Sequence, residues 1–207
     1  MVPISKVLFV MIFLAGLMGC ASMNKSECLN ADWHMIGMED GSQGQSVSHI
    51  GKHRKACAEY NVTPDLMSYE AGHAAGMEQF CTESKGFRLG KKGGYYGGVC
   101  PPELEEDFLI GYDAGKKVHV ASIEAKQAAN AARSNQTQLD KLKKDIKAKE
   151  ALLISSKTSE MARVELLKEI KADGKKVAEL EARIPDLESD KEDKQAAYEE
   201  IKMMYQY

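Results

Sequence analysis

Ile36-Gly37-Met38-Glu39-Asp40-Gly41, Met67-Ser68-Tyr69-Glu70-Ala71-Gly72 and Ile110-Gly111-Tyr112-Asp113-Ala114-Gly115 are three spaced copies of one short pattern. Each holds an apolar residue, a small one, a Met or Tyr, an acid, a variable position and a glycine. Glycine inside a helix costs about 1 kcal/mol against alanine, so its recurrence on a helical stripe calls for a reason. Tyr69, Gly72, Gly76 and Phe80 fall at i, i+3, i+7 and i+11 and share one stripe. The physical reason is close approach of a second backbone, which any Cβ would block. Gly41, Gly72 and Gly115 then mark helix crossings, with the acids Glu39, Asp40, Glu70 and Asp113 on the solvent side. That reading makes the stretch from Cys28 to Gly115 the centre of a small helical head.

Upstream lies an address signal. Lys6 supplies a positive charge and Val7 to Leu17 is an apolar run. The run falls short of the roughly 20 residues a spanning helix needs but suits a signal-peptide core. It ends in Leu17-Met18-Gly19-Cys20, which resembles a bacterial lipoprotein signal, with Met18 in place of the usual small residue. In that class Cys20 is acylated on sulfur and, after cleavage, on its amino group. Two or more chains anchor stably, where one does not. Ala21-Ser22 after the cysteine resembles the outer-membrane sorting pattern, with the protein on the periplasmic face. The expected organisation is a signal peptide at 1–19 and a lipidated tether at 20–31. A Cys/Gly-rich head at 28–120 and a charged arm at 121–207 follow.

A formal net charge of −3 gives no basic surface for nucleic acid. Cys28, Cys57, Cys81 and Cys100 in an exported head are read as two disulfides. Three connectivities are open; sequential pairing, Cys28–Cys57 and Cys81–Cys100, closes the shortest loops. Each such loop is worth roughly 3–4 kcal/mol in the chain-entropy model, which matters for a head of this size.

Local signals divide the head. Asp32 caps a first helix bearing Trp33, Ile36 and Met38, ended near Gly41, Ser42 and Gly44. A second helix is expected over Ser46 to Tyr60. Thr63-Pro64-Asp65 opens a third that runs to about Phe80. Six glycines within Gly86 to Gly98 predict a loop there, not a helix. Arg88, Lys91, Tyr95 and Tyr96 in that loop are the candidate ligand contacts, since aromatics beside cations suit a sugar or acidic partner.

Catalytic and metal signals are weak. His49, His53 and Cys57 share a helical face at metal-ligand spacing, with His34 or His73 available to complete a set. A disulfide-bonded Cys57 cannot ligate, so no metal and no cofactor are assigned. No Gly-x-Ser-x-Gly is present, and the acids of the repeats read as packing rather than as a carboxylate pair.

The ordered set Cys28, Asp32-Trp33, Gly37-x-x-Asp40-Gly41-x-x-Gly44, His49, Cys57, Pro64-Asp65, Tyr69-x-x-Gly72-x-x-x-Gly76, Cys81, Gly86, Gly90, Tyr95-x-Gly97-x-x-Cys100-Pro101, Phe108 and Gly111-Tyr112-x-x-Gly115 resembles a domain-of-unknown-function family of short Gram-negative lipoproteins. The resemblance spans roughly 28–120. It implies a lipoprotein head and supplies no catalytic residues.

Beyond the head, Pro101-Pro102 and the acids Glu103, Glu105, Glu106 and Asp107 open a long helix. Residues 121–207 hold 17 basic and 17 acidic side chains, a balance that suits a solvated helical arm. Leu139, Leu142, Ile146 and Leu153 form an a/d-like stripe. Its phase is lost at Ser155-Ser156-Lys157-Thr158 and resumes with Leu166, Ile170, Val177, Leu180, Ile184, Leu187, Tyr198 and Ile201. Such a frame change predicts a hairpin turn or, alternatively, a stammer in one extended coiled coil. Pro185 is expected to break or kink the second half. The fold expected is mostly α: a disulfide-stapled helical head followed by a long coiled-coil-like hairpin arm. The function expected is that of a lipid-anchored envelope component that meets a protein partner or itself through the arm, with no enzyme activity; the alternative is a peptidoglycan or glycan-binding module using the Gly86–Gly98 loop.

Overall fold

A computed structural model describes residues 23–205; residues 1–22, where the signal peptide and the acylated Cys20 are expected, and the last two residues lie outside the described residues. The described residues are helical, with no strand among them. In chain order the helices are α1 (Lys25–Leu29), α2 (Trp33–Ser42), α3 (Ile50–Ala58), α4 (Leu66–Phe80), α5 (Glu83–Lys91), α6 (Pro102–Leu153) and α7 (Glu160–Met204), with a 3-10 turn at Val47–His49 before α3. Two compact units form. Among the described residues, one comprises 23–82 and 97–107; the other comprises 83–96 and 108–205.

In the first unit, part of the stretch expected to be a tether is folded. Asn24 and Glu27 make a reciprocal capping box on α1, and Cys28 on that helix is buried through its bond to Cys57. Asp32 caps α2 by accepting from the Met35 N–H at 3.0 Å. For α4 the cap is Asp65, which accepts from the Ser68 N–H at 3.1 Å; Thr63 lies before it.

Helices α2 and α4 cross glycine to glycine. A Cβ on Gly37, Gly41, Gly72 or Gly76 would overlap the carbonyl of Tyr69, His73, His34 or Met38 respectively. In each case the obstructing carbonyl lies three residues before the facing glycine. The missing side chains therefore permit the crossing, and their helix-propensity cost is offset by the contact.

The second unit repeats this crossing. Gly86 and Gly90 on α5 meet the carbonyls of Phe108 and Tyr112, while Gly111 and Gly115 on α6 meet those of Glu83 and Phe87. The same three-residue offset holds at all four positions. Three residues past the second glycine of α2 and of α5 stand Gly44 (φ +74°) and Gly93 (φ +72°). Both reverse the chain in the left-handed region, where side chains are disfavoured. At the next residue, the carbonyl of Gln45 accepts from His73 Nε2 at 2.7 Å and that of Gly94 accepts from the Tyr112 hydroxyl at 2.9 Å. His73 and Tyr112 each follow the first glycine of the facing helix. The two crossings are thus an internal repeat; the three acid-bearing motifs lie on three of its four helices, with the α4 motif one turn out of register, because its Gly72 is the first glycine of the pair where Gly41 and Gly115 are the second.

The fourth helix corrects the expectation of a loop at Gly86–Gly98. Helix α5 runs through Gly86 and Gly90 to Lys91, and only the remainder is a turn. Glycine content predicted a loop, but here the glycines are spaced four apart on the buried face, with Phe87 buried beside them.

The cysteines pair sequentially, Cys28–Cys57 and Cys81–Cys100. Each bond joins a cysteine before the first helix of a crossing to one in the link before the second.

Helices α6 and α7 form an antiparallel hairpin. The bend at 154–159 is held by the Thr158 hydroxyl, which donates to Leu152 O at 2.6 Å, and by Arg163, which donates to Ser155 O at 3.0 Å. Lys143–Glu181, Lys149–Asp173 and Lys194–Glu124 link the two helices at 2.7, 2.6 and 2.9 Å, and Arg183 donates to Asn135. Exposed ion pairs add little stability; the stripe carries the association. Ala121, Ala125, Ala128, Ala132 and Leu139 are buried on α6 and Leu180 on α7. Near its end, α7 places Tyr198, Ile201 and Tyr205 against Phe87, Ala114 and Val118. Pro185 lies inside a continuous α7 and does not break it. Proline removes one backbone donor, and the flanking Ile184 and Leu187 stay partly buried.

Candidate functional site

The most developed polar cluster among the described residues gathers where α2 ends and α3 begins. Asp40, in the last turn of α2, is buried to 8% exposure. Its Oδ2 accepts from the Tyr69 hydroxyl at 2.7 Å and pairs with His53 Nε2 at 2.9 Å. Asp40 thus departs from the solvent-side placement expected for the repeated acids, which Glu39, Glu70 and Asp113 do follow. Burying a carboxylate without partners is costly, and two partners offset that cost here.

His49, in the turn before α3, and His53, one turn into it, set their rings 5.4 Å apart. The Nδ1 of His49 meets Gln45 Oε1 at 2.9 Å. Trp33 and Tyr69 flank His53, with ring centroids at 6.5 and 6.3 Å. Burial, followed by the hydrogen bond to Asp40 and its charge, pushes the Tyr69 phenol far above its ordinary value. Tyr69 therefore stays a neutral donor and is not a base. Asp40, His49 and His53 each bring one ligand-type atom within 4.8 Å of the others. A surface cavity of about 490 Å³ opens beside the cluster, and Asn24, Glu27, Glu39, Gln43, Asp40 and His53 are on its wall.

Of the metal candidates read from spacing, His49 and His53 come together, but Cys57 is bonded to Cys28. His73 donates to a backbone carbonyl, and His34 is exposed. The residue that spacing missed is Asp40, which lies on a different helix. A lone buried acid in one copy of a repeat was the available signal, and it became visible only once burial was known.

Arg88, Lys91, Tyr95 and Tyr96 differ in exposure and in what they touch. Arg88 is exposed on α5, and the Lys91 ammonium lies 5.5 Å from the Phe87 ring centroid. Tyr96 packs against Phe108 and Tyr112, with centroids at 4.6 and 5.9 Å. Tyr95 is 89% exposed. Tyr96 is half-buried and takes part in the packing of the second crossing. Cys20 lies outside the described residues. No helix among the described residues is long and apolar enough to cross a membrane.

A family described as "Protein of unknown function (DUF2799)" matches residues 32–117. The match begins at the α2 cap and ends two residues after Gly115, so it takes in both crossings and all four glycine pairs. No curated protein and no solved structure matches the chain. To the extent of residues 32–117, the chain is similar to this family of unknown function.

Proposed function

We propose that the chain is a lipid-anchored envelope protein, held at the outer membrane by acylated Cys20 and facing the periplasm, whose hairpin meets another envelope protein. Leu17-Met18-Gly19-Cys20 supports the anchor, and two closed disulfides suit an oxidising compartment.

The observation that carries the interaction reading is at the end of the arm. The hairpin covers its own stripe, so a partner is not needed along its length. Around the bend, however, Leu152, Ile154, Met161, Val164 and Leu167 are 54–85% exposed. Water-exposed large apolar groups collected within one short stretch suit a protein contact. Photocrosslinkers at Ile154 and Met161, with buried Leu180 as control, test this in intact cells. Adducts of a second protein at the first two positions and none at Leu180 are the expected result. An adduct of twice the chain's mass assigns the tip to a second copy instead, and monomer alone at every position refutes the reading. Loss of acyl labelling in Cys20→Ser tests the anchor separately.

A further inference from the structure

We propose that Asp40, His49 and His53 form a binding site for a divalent transition-metal ion, with Zn²⁺ as the reference ion. Two imidazoles and one carboxylate are the donors that zinc, nickel and copper share. Their ligand-type atoms already lie within 4.8 Å of one another, and His53 Nε2 stands 2.9 Å from Asp40 Oδ2. Around a tetrahedral ion with bonds of about 2.0–2.1 Å, ligand atoms sit about 3.3 Å apart. Binding requires His49 to move closer to the other two, with the ion in place of the hydrogen that bridges His53 and Asp40.

Two of the three ligands, His49 and Asp40, have the outer partners that metal ligands take. A ligating histidine donates its second ring nitrogen to an outer acceptor, and a ligating carboxylate is itself hydrogen-bonded. Gln45 Oε1 is positioned to accept from His49 Nδ1 at 2.9 Å, which leaves Nε2 for the ion. The Tyr69 hydroxyl holds Asp40 at 2.7 Å. The cavity beside Asp40 and His53 offers entry and room for a water as fourth ligand.

The internal repeat separates this site from ordinary packing. One residue before the second glycine, the first crossing has Asp40 and the second has Leu89. Three residues before the facing glycine, the first has Tyr69 and the second Phe108. Both aromatic rings are fully buried. The crossing therefore folds with an apolar pair at these positions, so the acid and the hydroxyl are not demanded by the fold. They occur together in the crossing that also faces two histidines.

The test titrates the full, disulfide-closed chain, stripped of metal with EDTA, with zinc chloride in a calorimeter. One equivalent is expected to bind, with affinity falling about 100-fold or more in His49→Ala and in His53→Ala and unchanged in His34→Ala. Absence of saturable binding overturns the proposal, as does one-equivalent binding that survives both His49→Ala and His53→Ala. Circular dichroism of each variant checks the fold. If the histidine variants unfold, Asp40→Asn decides: it keeps the side-chain shape, and zinc affinity equal to that of the unmodified chain overturns the site.

Discussion

Tyr69 and Phe108 hold the same position in two copies of one helix crossing, three residues before the first glycine of the facing helix, and both are fully buried. The single atom that separates them, the Tyr69 hydroxyl, goes to Asp40. The second crossing has Leu89 where Asp40 stands, so the molecule carries its own apolar version of the site.

That equivalence predicts a double-mutant result. Tyr69→Phe alone strips a partner from a buried carboxylate, and Asp40→Leu alone strands a buried hydroxyl; each costs about 1–3 kcal/mol. Asp40→Leu with Tyr69→Phe recreates the second crossing's pair and should cost much less than the sum. Urea unfolding of the four proteins measures the coupling, and additive losses would contradict it.

Glycines at the crossings differ sharply from glycines elsewhere. Gly72→Ala sets a Cβ against the His34 backbone, with its Cα only 2.9 Å away, and should destabilise by roughly 3 kcal/mol. Gly174, inside α7, has nothing within 4 Å of an added Cβ. Gly174→Ala should therefore stabilise by about 1 kcal/mol, the difference in helix propensity. Thermal melts of the two variants should shift in opposite directions.

Each disulfide should contribute measurably. Cys28–Cys57 spans 29 residues and Cys81–Cys100 spans 19, and loops of that size are worth about 3–4 kcal/mol each in the chain-entropy model. Paired Cys→Ala variants of either bond should lose that much in denaturant unfolding. A loss under about 1 kcal/mol would show that the reduced chain is already constrained.

The hairpin carries a pH dependence of known sign. Asp173, buried to 9% exposure, bonds Lys149 at 2.6 Å. That hydrogen bond, then the charges of Lys149 and Lys176, holds its carboxyl below the ordinary 3.8. The bond to Asp173 likewise pushes Lys149 up to about 12. A depressed acid stabilises the fold above its unfolded value, and this is lost as pH falls through the folded one. For the raised lysine the loss comes at high pH, between about 10.5 and 12. Asp173→Asn should lower helix stability at pH 7, and the deficit should shrink below about pH 4. A deficit independent of pH would exclude the ion pair as its cause.

Much of the architecture was legible locally. Asp32 announces a helix start because a capping acceptor must sit beside the N–H groups it satisfies; Thr63-Pro64-Asp65 announces another, although the cap is Asp65 and not the expected Thr63 hydroxyl. The change of phase at residues 155–158 marks where one stripe ends, because a stripe can keep one frame only along one helix; the structure decided for the hairpin over a stammer. The arm's apolar series, Leu139 to Ile201, lies wholly at buried or half-buried positions. Gly72 and Gly76 reveal a crossing because omitting a Cβ has little use on an open helical face.

Other features were decided only in three dimensions. Gly86 and Gly90 carry the same signal as Gly72 and Gly76, yet nearby glycines made the stretch read as a loop. Local propensity weighs each glycine as a cost, and only the facing backbone of α6 turns it into a fit. Among three possible cysteine pairings, spatial proximity selected one. Asp40 joins His49 and His53 from another helix, beyond the reach of any helical period. The sequence by itself determined where helices start, that Gly41, Gly72 and Gly115 approach a second backbone, and where the arm's stripe changes frame, because those follow from a residue and its near neighbours. Tertiary structure alone decided which glycines face which carbonyls and which acid is buried among the histidines, because those depend on segments that only folding brings together.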